Sequence, residues 1–384
     1  MLAGNPIRTL ALMTAAFVAA VFFLLLATLP PKPVEIPLGD VDPALISRTV
    51  SGAYHIHTTR SDGAEDKASI AAAASKAGLT FAIFTDHGDG TRTPDAPAYL
   101  SGVLCLDGVE ISTSGGHYVA IDLPAAPYPL GGEPSAVVED VSRLGGFGIA
   151  AHPDHPRSQL AWTDREAPID GVEWINADSE WRNETPIRLA RVLFDYLVRP
   201  GPALASVFDR PLQTLRRWDA LDKDRSVVAL AAADAHGGGR LRGEEHGGAA
   251  LRAGPGYEAS FRSLSNRVLL DRPMTGDADV DARLLLDALR TGRVYSVVDA
   301  ISKDIVLSFE TTPGAGFTVV SPLPEGARVV PVAAGERKRI EVYAAQAPGR
   351  PPVPWVLANW TGSRPLAPPL PAGPPPASSA PLAV

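Results

Sequence analysis

The stretch that decides the reading is Gly52-Ala53-Tyr54-His55-Ile56-His57-Thr58-Thr59-Arg60-Ser61-Asp62-Gly63. It opens as a short run with the alternation of a strand, predicted over residues 52–57. That alternation places both imidazoles of His55-Ile56-His57 on one face. The turn Ser61-Asp62-Gly63 follows and can fold its carboxylate back towards them.

Outward from this stretch the pattern repeats: an apolar run ends in a residue able to bind metal. Residues 81–85 lead into Asp86-His87. Residues 103–110 end in Glu110, and Gly115-Gly116-His117 opens the next run, 118–121. Residues 148–151 end in His152-Pro153. Residues 171–175 carry Glu173, and residues 227–233 end in Asp234-Ala235-His236. Helical patterns are expected between and after them, at 65–76, 135–144, 187–197, 212–221 and 280–289. Strands alternating with helices predict an α/β domain with a parallel sheet, open or closed into a barrel. In a closed β/α barrel such strand ends converge at one mouth.

Taken singly, each piece has an ordinary reading. His-x-His is more often a pair of polar strand residues than a metal site, and Thr85-Asp86-His87 can simply cap a helix. Taken together, polar groups at successive ends of buried strands are costly unless something pairs with them. A metal cluster supplies that partner. The single cysteine, Cys105, excludes an internal disulfide framework and any Cys-based zinc module. Imidazoles and carboxylates suit borderline divalent ions such as Mn, Zn or Fe.

The order of the motifs resembles the PHP (polymerase and histidinol phosphatase) family of metallohydrolases, over roughly residues 49–300. The segments Leu215-Arg216-Arg217-Trp218-Asp219 and Leu289-Arg290-Thr291-Gly292-Arg293-Val294-Tyr295 look like family members too. The resemblance implies a distorted barrel of seven strands, (β/α)7, binding two or three divalent ions. By similarity, His55, His57, Glu110 and Asp234 hold one ion. Glu110 bridges to a second held by His117 and His152. Asp62, His87 and His236 hold a third; Asp62 stands where some relatives have His.

The implied activity is metal-dependent hydrolysis, with a hydroxide bridging the metals as nucleophile on a small phosphate ester or nucleotide. Two alternatives stand beside it. One is a carbamate, carboxylic ester or amide hydrolase on the same centre, because residues 353–359 look somewhat like the end of that group. The other is a non-catalytic metal-binding surface domain. Asp86 is a candidate for orienting an imidazole and His155 for protonating the leaving group. Arg157, Arg240 and Glu173 are candidate substrate contacts.

The 384 residues carry 43 acidic and 35 basic side chains, a net charge of −8, so a role coating a phosphate backbone is disfavoured and no stable nucleic-acid binding is expected. Apolar residues at 45% exclude global disorder. Residues 10–29 form a run without charge, Gly or Pro, long enough at 1.5 Å per residue to span roughly 30 Å of hydrocarbon. Arg8 precedes it and acidic residues follow. This predicts a single-pass anchor in the cytoplasmic membrane with the catalytic domain on the outer side. Secretion after signal cleavage is the alternative, poorly suited by Leu29-Pro30-Pro31. The expected organisation is a membrane helix at 1–30, a Pro-rich linker at 31–48 and a metallohydrolase domain at 49–300. A small β appendage at 301–363 and a disordered Pro-rich tail at 364–384 follow.

Overall fold

The computed structural model describes residues 6–361, except 40, 224, 241–251, 254, 303–304, 308, 313–315, 320–322, 324–325, 335–336 and 345–352. The tail expected at 364–384 lies outside the described residues. Ten helices are present among the described residues: α1 (Pro6–Ala27), α2 (Pro43–Arg48), α3 (Lys67–Ala77), α4 (Pro134–Arg143), α5 (Ala177–Arg182), α6 (Pro186–Val198), α7 (Pro200–Ala205), α8 (Leu212–Leu221), α9 (Tyr257–Phe261) and α10 (Ala278–Arg290).

Seven strands form the heart of the sheet: β1 (Thr49–Tyr54), β2 (Phe81–Phe84), β3 (Val103–Thr113), β4 (Gly116–Ile121), β5 (Phe147–Ala150), β6 (Gly171–Asn176) and β7 (Val228–Ala232). Five more continue it: β8 (Ser265–Leu269), β9 (Val294–Val297), β10 (Arg328–Ala334), β11 (Arg337–Tyr343) and β12 (Val356–Thr361). The order is β10-β11-β12-β9-β8-β1-β2-β3-β4-β5-β6-β7. With the short strand Ala98–Leu100 beside β3, the sheet has 13 strands.

The fold is mixed α/β. The parallel sheet expected from sequence is only partly so. β1, β2 and β3 are parallel neighbours, as are β5, β6 and β7, but β4 runs antiparallel to both its neighbours. The reason is local: only Ser114-Gly115 separates β3 from β4, too few residues for the crossover that a parallel pair needs. β8 and β9, absent from the sequence expectation, also pair antiparallel, β8 to β1 and β9 to β8. β12 then pairs with β9, so the strands at 328–361 extend the same sheet.

β2, β4, β5, β6 and β7 are buried along their whole length, which is why they read as continuous apolar runs. Val50, Ile83, Leu106, Val119, Ile149 and Leu230, from six of the seven strands, share one core cluster with Leu285 and Leu289 of α10. The opposite face carries Ala53, Ala82, Phe84 and Cys105, packed on Ile70, Ala71 and Ala74 of α3. β6 differs: Val172 and Trp174 enter the main core, and Glu173 lies between them. α3 starts on the Asp66 side chain, which accepts from Ser69 N, and stops at Gly78 with φ 84°, the left-handed conformation that glycine adopts without Cβ strain.

β1 and β7 share no ladder over their own lengths. They meet just beyond them. Ala233 N donates to Tyr54 O at 3.0 Å, Ala235 N to His55 O at 3.2 Å and His57 N to Ala235 O at 3.0 Å. Between α1 and β1, Val34 N donates to Ile301 O at 2.8 Å, Ile36 joins the main core, and Val41 and Leu45 pack with Leu269 and Val306. Within α1 the span Ile7–Ala27, 21 residues, has a mean hydropathy of 2.7, with none of its most apolar window buried. Among the described residues it is the one helix long and apolar enough to cross a membrane.

Candidate metal centre

Strand pairing aligns the two richest motifs. Ile56 and Ala235 form a parallel bridge, so His55-Ile56-His57 and Asp234-Ala235-His236 run side by side. The pairing does not arise by simple pleat alternation as expected. β1 ends at Tyr54, and His55 adopts φ 65°. His152 and Asp234, past the ends of β5 and β7, adopt φ 29° and 43°. A non-glycine residue in this region costs ~1–3 kcal/mol and persists where the surroundings over-determine it. Here the left-handed turn swings each side chain over the ends of the strands instead of along the pleat. Beside them, His87 bridges Glu110 in parallel register, with Gly88 N donating to Glu110 O at 3.0 Å.

The nine residues singled out as ligands converge. Glu110, 1% exposed, is the hub. Its Oε1 lies 2.6 Å from His117 Nδ1 and 2.9 Å from His152 Nε2. Its Oε2 lies 3.2 Å from His55 Nε2, 3.3 Å from His57 Nε2 and 3.1 Å from His87 Nδ1. One carboxylate thus faces two sets of imidazoles with different oxygens. Asp234 Oδ1 sits 3.5 Å from His55 Nε2 and 3.3 Å from His57 Nε2. Asp62 closes the other side, 3.7 Å from His87 Nε2 and 3.3 Å from His236 Nε2. Four triads have ligand atoms within 4.8 Å of one another: His55/Glu110/His152, His55/His57/Asp234, His57/Asp62/His87 and His87/Glu110/His117.

The donor set fits divalent cations. His55 Nε2 and His57 Nε2 are buried polar atoms without a hydrogen-bond partner, and both point at carboxylate oxygens. Such atoms are costly unless something occupies the space between them. The electrostatics agree. Burial opposes charge on Glu110 and Asp234, yet the surrounding imidazoles outweigh it and hold both carboxyls well below their ordinary range. Burial likewise opposes the imidazolium of His55, but Asp234, Glu173 and Glu110 pull its pKa well above the ordinary value. His236, under the same competition with Asp62 and Asp234, is pushed up to about 9. Burial prevails at His57, whose pKa is lowered. The field of the pocket favours positive charge, which bound cations supply.

A second layer fixes these side chains. Glu173, expected as a substrate contact, has both oxygens committed to the protein. Oε1 is 2.6 Å from His55 Nδ1, and Oε2 accepts from His152 N at 2.7 Å and Asn176 Nδ2 at 2.9 Å. It holds His55 with Nε2 turned to the cluster. Asp86, expected to orient an imidazole, instead accepts from Thr58 N (2.7 Å), Thr58 Oγ1 (2.8 Å) and Ser61 Oγ (2.7 Å). It anchors the turn that presents Asp62. Gly63 completes that turn: a Cβ there would lie 2.2 Å from His57 O. Tyr257 Oη donates to His57 O at 2.8 Å from below.

His155 is buried with its ring centroid 5.4 Å from that of His152. Its Nδ1 accepts from Arg157 N at 3.0 Å. Burial, then the neighbouring His152, lowers its pKa. The Arg157 side chain is exposed. Arg240 lies in the two-residue strand Gly239–Arg240, and its side chain is outside the described residues. Sequence reading missed Arg182. Its guanidinium lies over the Trp181 ring at 5.3 Å and pairs with Asp178. With Asp178, Trp181 and Phe208 it lines a hollow that reaches Asp234 and His236. Nothing in the local sequence Asp178-Ser179-Glu180-Trp181-Arg182 marks it; only the fold brings α5 to the strand ends.

Fold and site together define a mixed α/β protein with a buried imidazole–carboxylate centre whose donor set suits divalent cations. The chain belongs to the same family as the uncharacterized protein MJ1587 of Methanocaldococcus jannaschii. The two are 32% identical over 139 residues, covering 32% of this chain and 80% of the relative. No family model matches. Similar solved structures include a two-domain protein from Bacteroides vulgatus containing a predicted PHP-like metal-dependent phosphoesterase (12% identity, 86% of this chain and 91% of that one, TM-score 0.38). Another is the lesion-specific endonuclease Q of Pyrococcus furiosus (15% identity, 64% of this chain and 55% of that one, TM-score 0.35). TM-scores of this size fix neither fold nor activity.

Proposed function

We propose that this chain is a metal-dependent hydrolase of PHP type, a phosphoesterase acting on a small phosphate ester or nucleotide, tethered to a membrane by α1. The observation that carries the reading is Glu110, whose two oxygens face separate sets of imidazoles beside the partnerless His55 Nε2 and His57 Nε2. The seven-strand run with its seam at residues 54–57 and 233–235 is read as a distorted barrel, which explains why the ligands gather at one end. Two or three divalent ions (Mn, Zn or Fe) fit the nine ligands; when bound, they supply Lewis acidity and lower the pKa of coordinated water.

The chain's own residues do the rest. Glu173 holds the His55 tautomer, Asp86 and Gly63 shape the Asp62 turn, and Tyr257 supports His57 O. Arg182 offers a cation at the edge of the hollow, where an anionic phosphoryl group is recognised. Buried His155, next to His152, stands where a leaving group can receive a proton. The location outside the cytoplasmic membrane rests on the hydropathy of α1 and the charges flanking it.

The test is hydrolysis by the full chain in detergent with added Mn or Zn, on p-nitrophenyl phosphate, its bis-ester, and a carbamate and an acetate ester. Phosphoester turnover that is lost in His57→Ala and Asp234→Ala at retained folding is expected. Turnover of the carbonyl esters alone replaces the phosphoesterase reading, and turnover of none with metal bound points to a non-catalytic domain.

A further inference from the structure

The outward face of α6 is apolar without interruption. Around the helix, Leu193, Leu197, Ala190, Phe194, Ile187 and Val198 fall on one continuous arc of roughly 140° at 100° per residue. Ile187, Leu193, Leu197 and Val198 are 87%, 64%, 78% and 47% exposed. Beyond α1, the described residues have only three other exposed large apolar side chains, Val34, Tyr128 and Leu212. A surface helix normally turns its apolar stripe inward. Here the inward side holds Val192 and Asp195.

This arc adjoins the end of α1. Arg191 of α6 donates to Thr28 Oγ1 at 2.8 Å, Thr28 O at 2.8 Å and Leu25 O at 3.1 Å. Arg199 reaches Pro30 O. The Phe22 and Phe194 rings meet edge to face at 6.1 Å. The chain that follows is fastened to the body through Val34 and Ile36, so α6 and the last turn of α1 are held together at both ends. Whatever medium covers the final turns of α1 therefore covers the arc on α6.

We propose that α6 lies in the lipid–water interface, with Ile187, Leu193, Leu197 and Val198 among the acyl chains and Arg191 at the headgroup level, so that the domain rests on the membrane through two elements. The proposal rests on the reading of α1 as a membrane anchor. It has a consequence for access: residues 183–185 alone join α5 to α6, so the hollow beside Arg182 opens one short loop from the lipid surface.

The test is site-directed spin labelling of the full chain in phosphatidylcholine/phosphatidylglycerol vesicles. Cys105 is buried, and desolvation pushes its thiol up to about 11, so introduced cysteines label selectively. Leu193→Cys and Leu197→Cys are compared with Phe17→Cys in α1 and Glu139→Cys on the exposed side of α4. Accessibility to oxygen reports lipid, and accessibility to a water-soluble nickel chelate reports water. Labels at 193 and 197 are expected to match the one at 17, with several-fold more oxygen than nickel contact, while 139 shows the reverse. Water-like labels at 193 and 197 with a lipid-like label at 17 overturn the interfacial helix and leave the anchor standing. Low accessibility to both reagents at 193 and 197 means another protein surface, such as a second copy, covers the arc, and also overturns it. A water-like label at 17 removes the anchor itself and the proposal with it.

Discussion

Replacing Glu173 by Gln tests the logic of the centre without touching a ligand. Three donors converge on the Glu173 carboxylate: His55 Nδ1–H on Oε1, and His152 N–H with Asn176 Nδ2–H on Oε2. Gln keeps the shape but turns one oxygen into an NH₂ donor. Placing that NH₂ at the Oε2 position opposes two donors; placing it at the Oε1 position opposes only one. The amide therefore keeps its oxygen towards His152 and Asn176 and aims NH₂ at His55 Nδ1. His55 relieves the clash by moving its proton to Nε2, the atom that faces Glu110 and Asp234, and a protonated nitrogen cannot ligate. A mismatched buried contact costs ~1–3 kcal/mol, which is roughly a tenfold to hundredfold loss of metal affinity. Two of the three hydrogen bonds survive unchanged and the third reverses direction, so the melting temperature should change little. Metal content after dialysis against buffered Zn or Mn, with thermal unfolding followed in parallel, reads both quantities. A Gln variant that binds metal within threefold of the parent and turns over equally would refute the tautomer argument.

Three further outcomes are expected. Gly63→Ala, whose Cβ meets His57 O, should displace the Asp62 turn and lower metal stoichiometry measured by elemental analysis, while His55, His57 and Asp234 still bind. Arg182→Ala should weaken phosphoester turnover ~10–100-fold in kcat/KM, the loss of a charged hydrogen bond, with metal content unchanged; equal kcat/KM would remove Arg182 from substrate contact. Glu180, on the buried side of α5, has its carboxyl pushed up to about 8 from the ordinary 4.5 by desolvation. Between those values the folded protein holds a proton that the unfolded chain has released. Stability therefore falls as pH rises from about 5 to 8 and levels off above, by about 5 kcal/mol at most. Glu180→Gln should flatten that slope in urea unfolding from pH 5 to 9, and parallel slopes for the two proteins would contradict it.

The seven runs read from sequence as strands are the strands β1 to β7, because strands buried on both faces are written as plain apolar runs. Their ends were less legible. Alternation places His55 within the first strand, whereas the chain turns left-handed there; a φ of 65° at a histidine leaves no mark in composition. The antiparallel direction of β4 follows from the two-residue turn before it, against the alternation of strands and helices that dominates the pattern elsewhere. β8 carries no apolar run that marks a strand, because Ser265-Asn266-Arg267 is polar. Those residues are buried with hydrogen bonds to Asp299, Ala231 and Ser296.

The candidate ligands are legible in the sequence alone: imidazoles and carboxylates gathered at the ends of several successive apolar runs are costly to bury unless something pairs with them. Which oxygen of Glu110 faces which imidazole, that Glu173 serves His55, and that Asp86 serves a turn were decided only by the tertiary structure. So was the apolar arc of α6, whose periodicity predicts a helix but not which side of it meets the core. Chain-local chemistry is written residue by residue, whereas hydrogen-bond partners and exposed faces depend on segments far apart in the chain, as in the bond between Tyr257 Oη and His57 O across 200 positions, and exist only once those segments have packed.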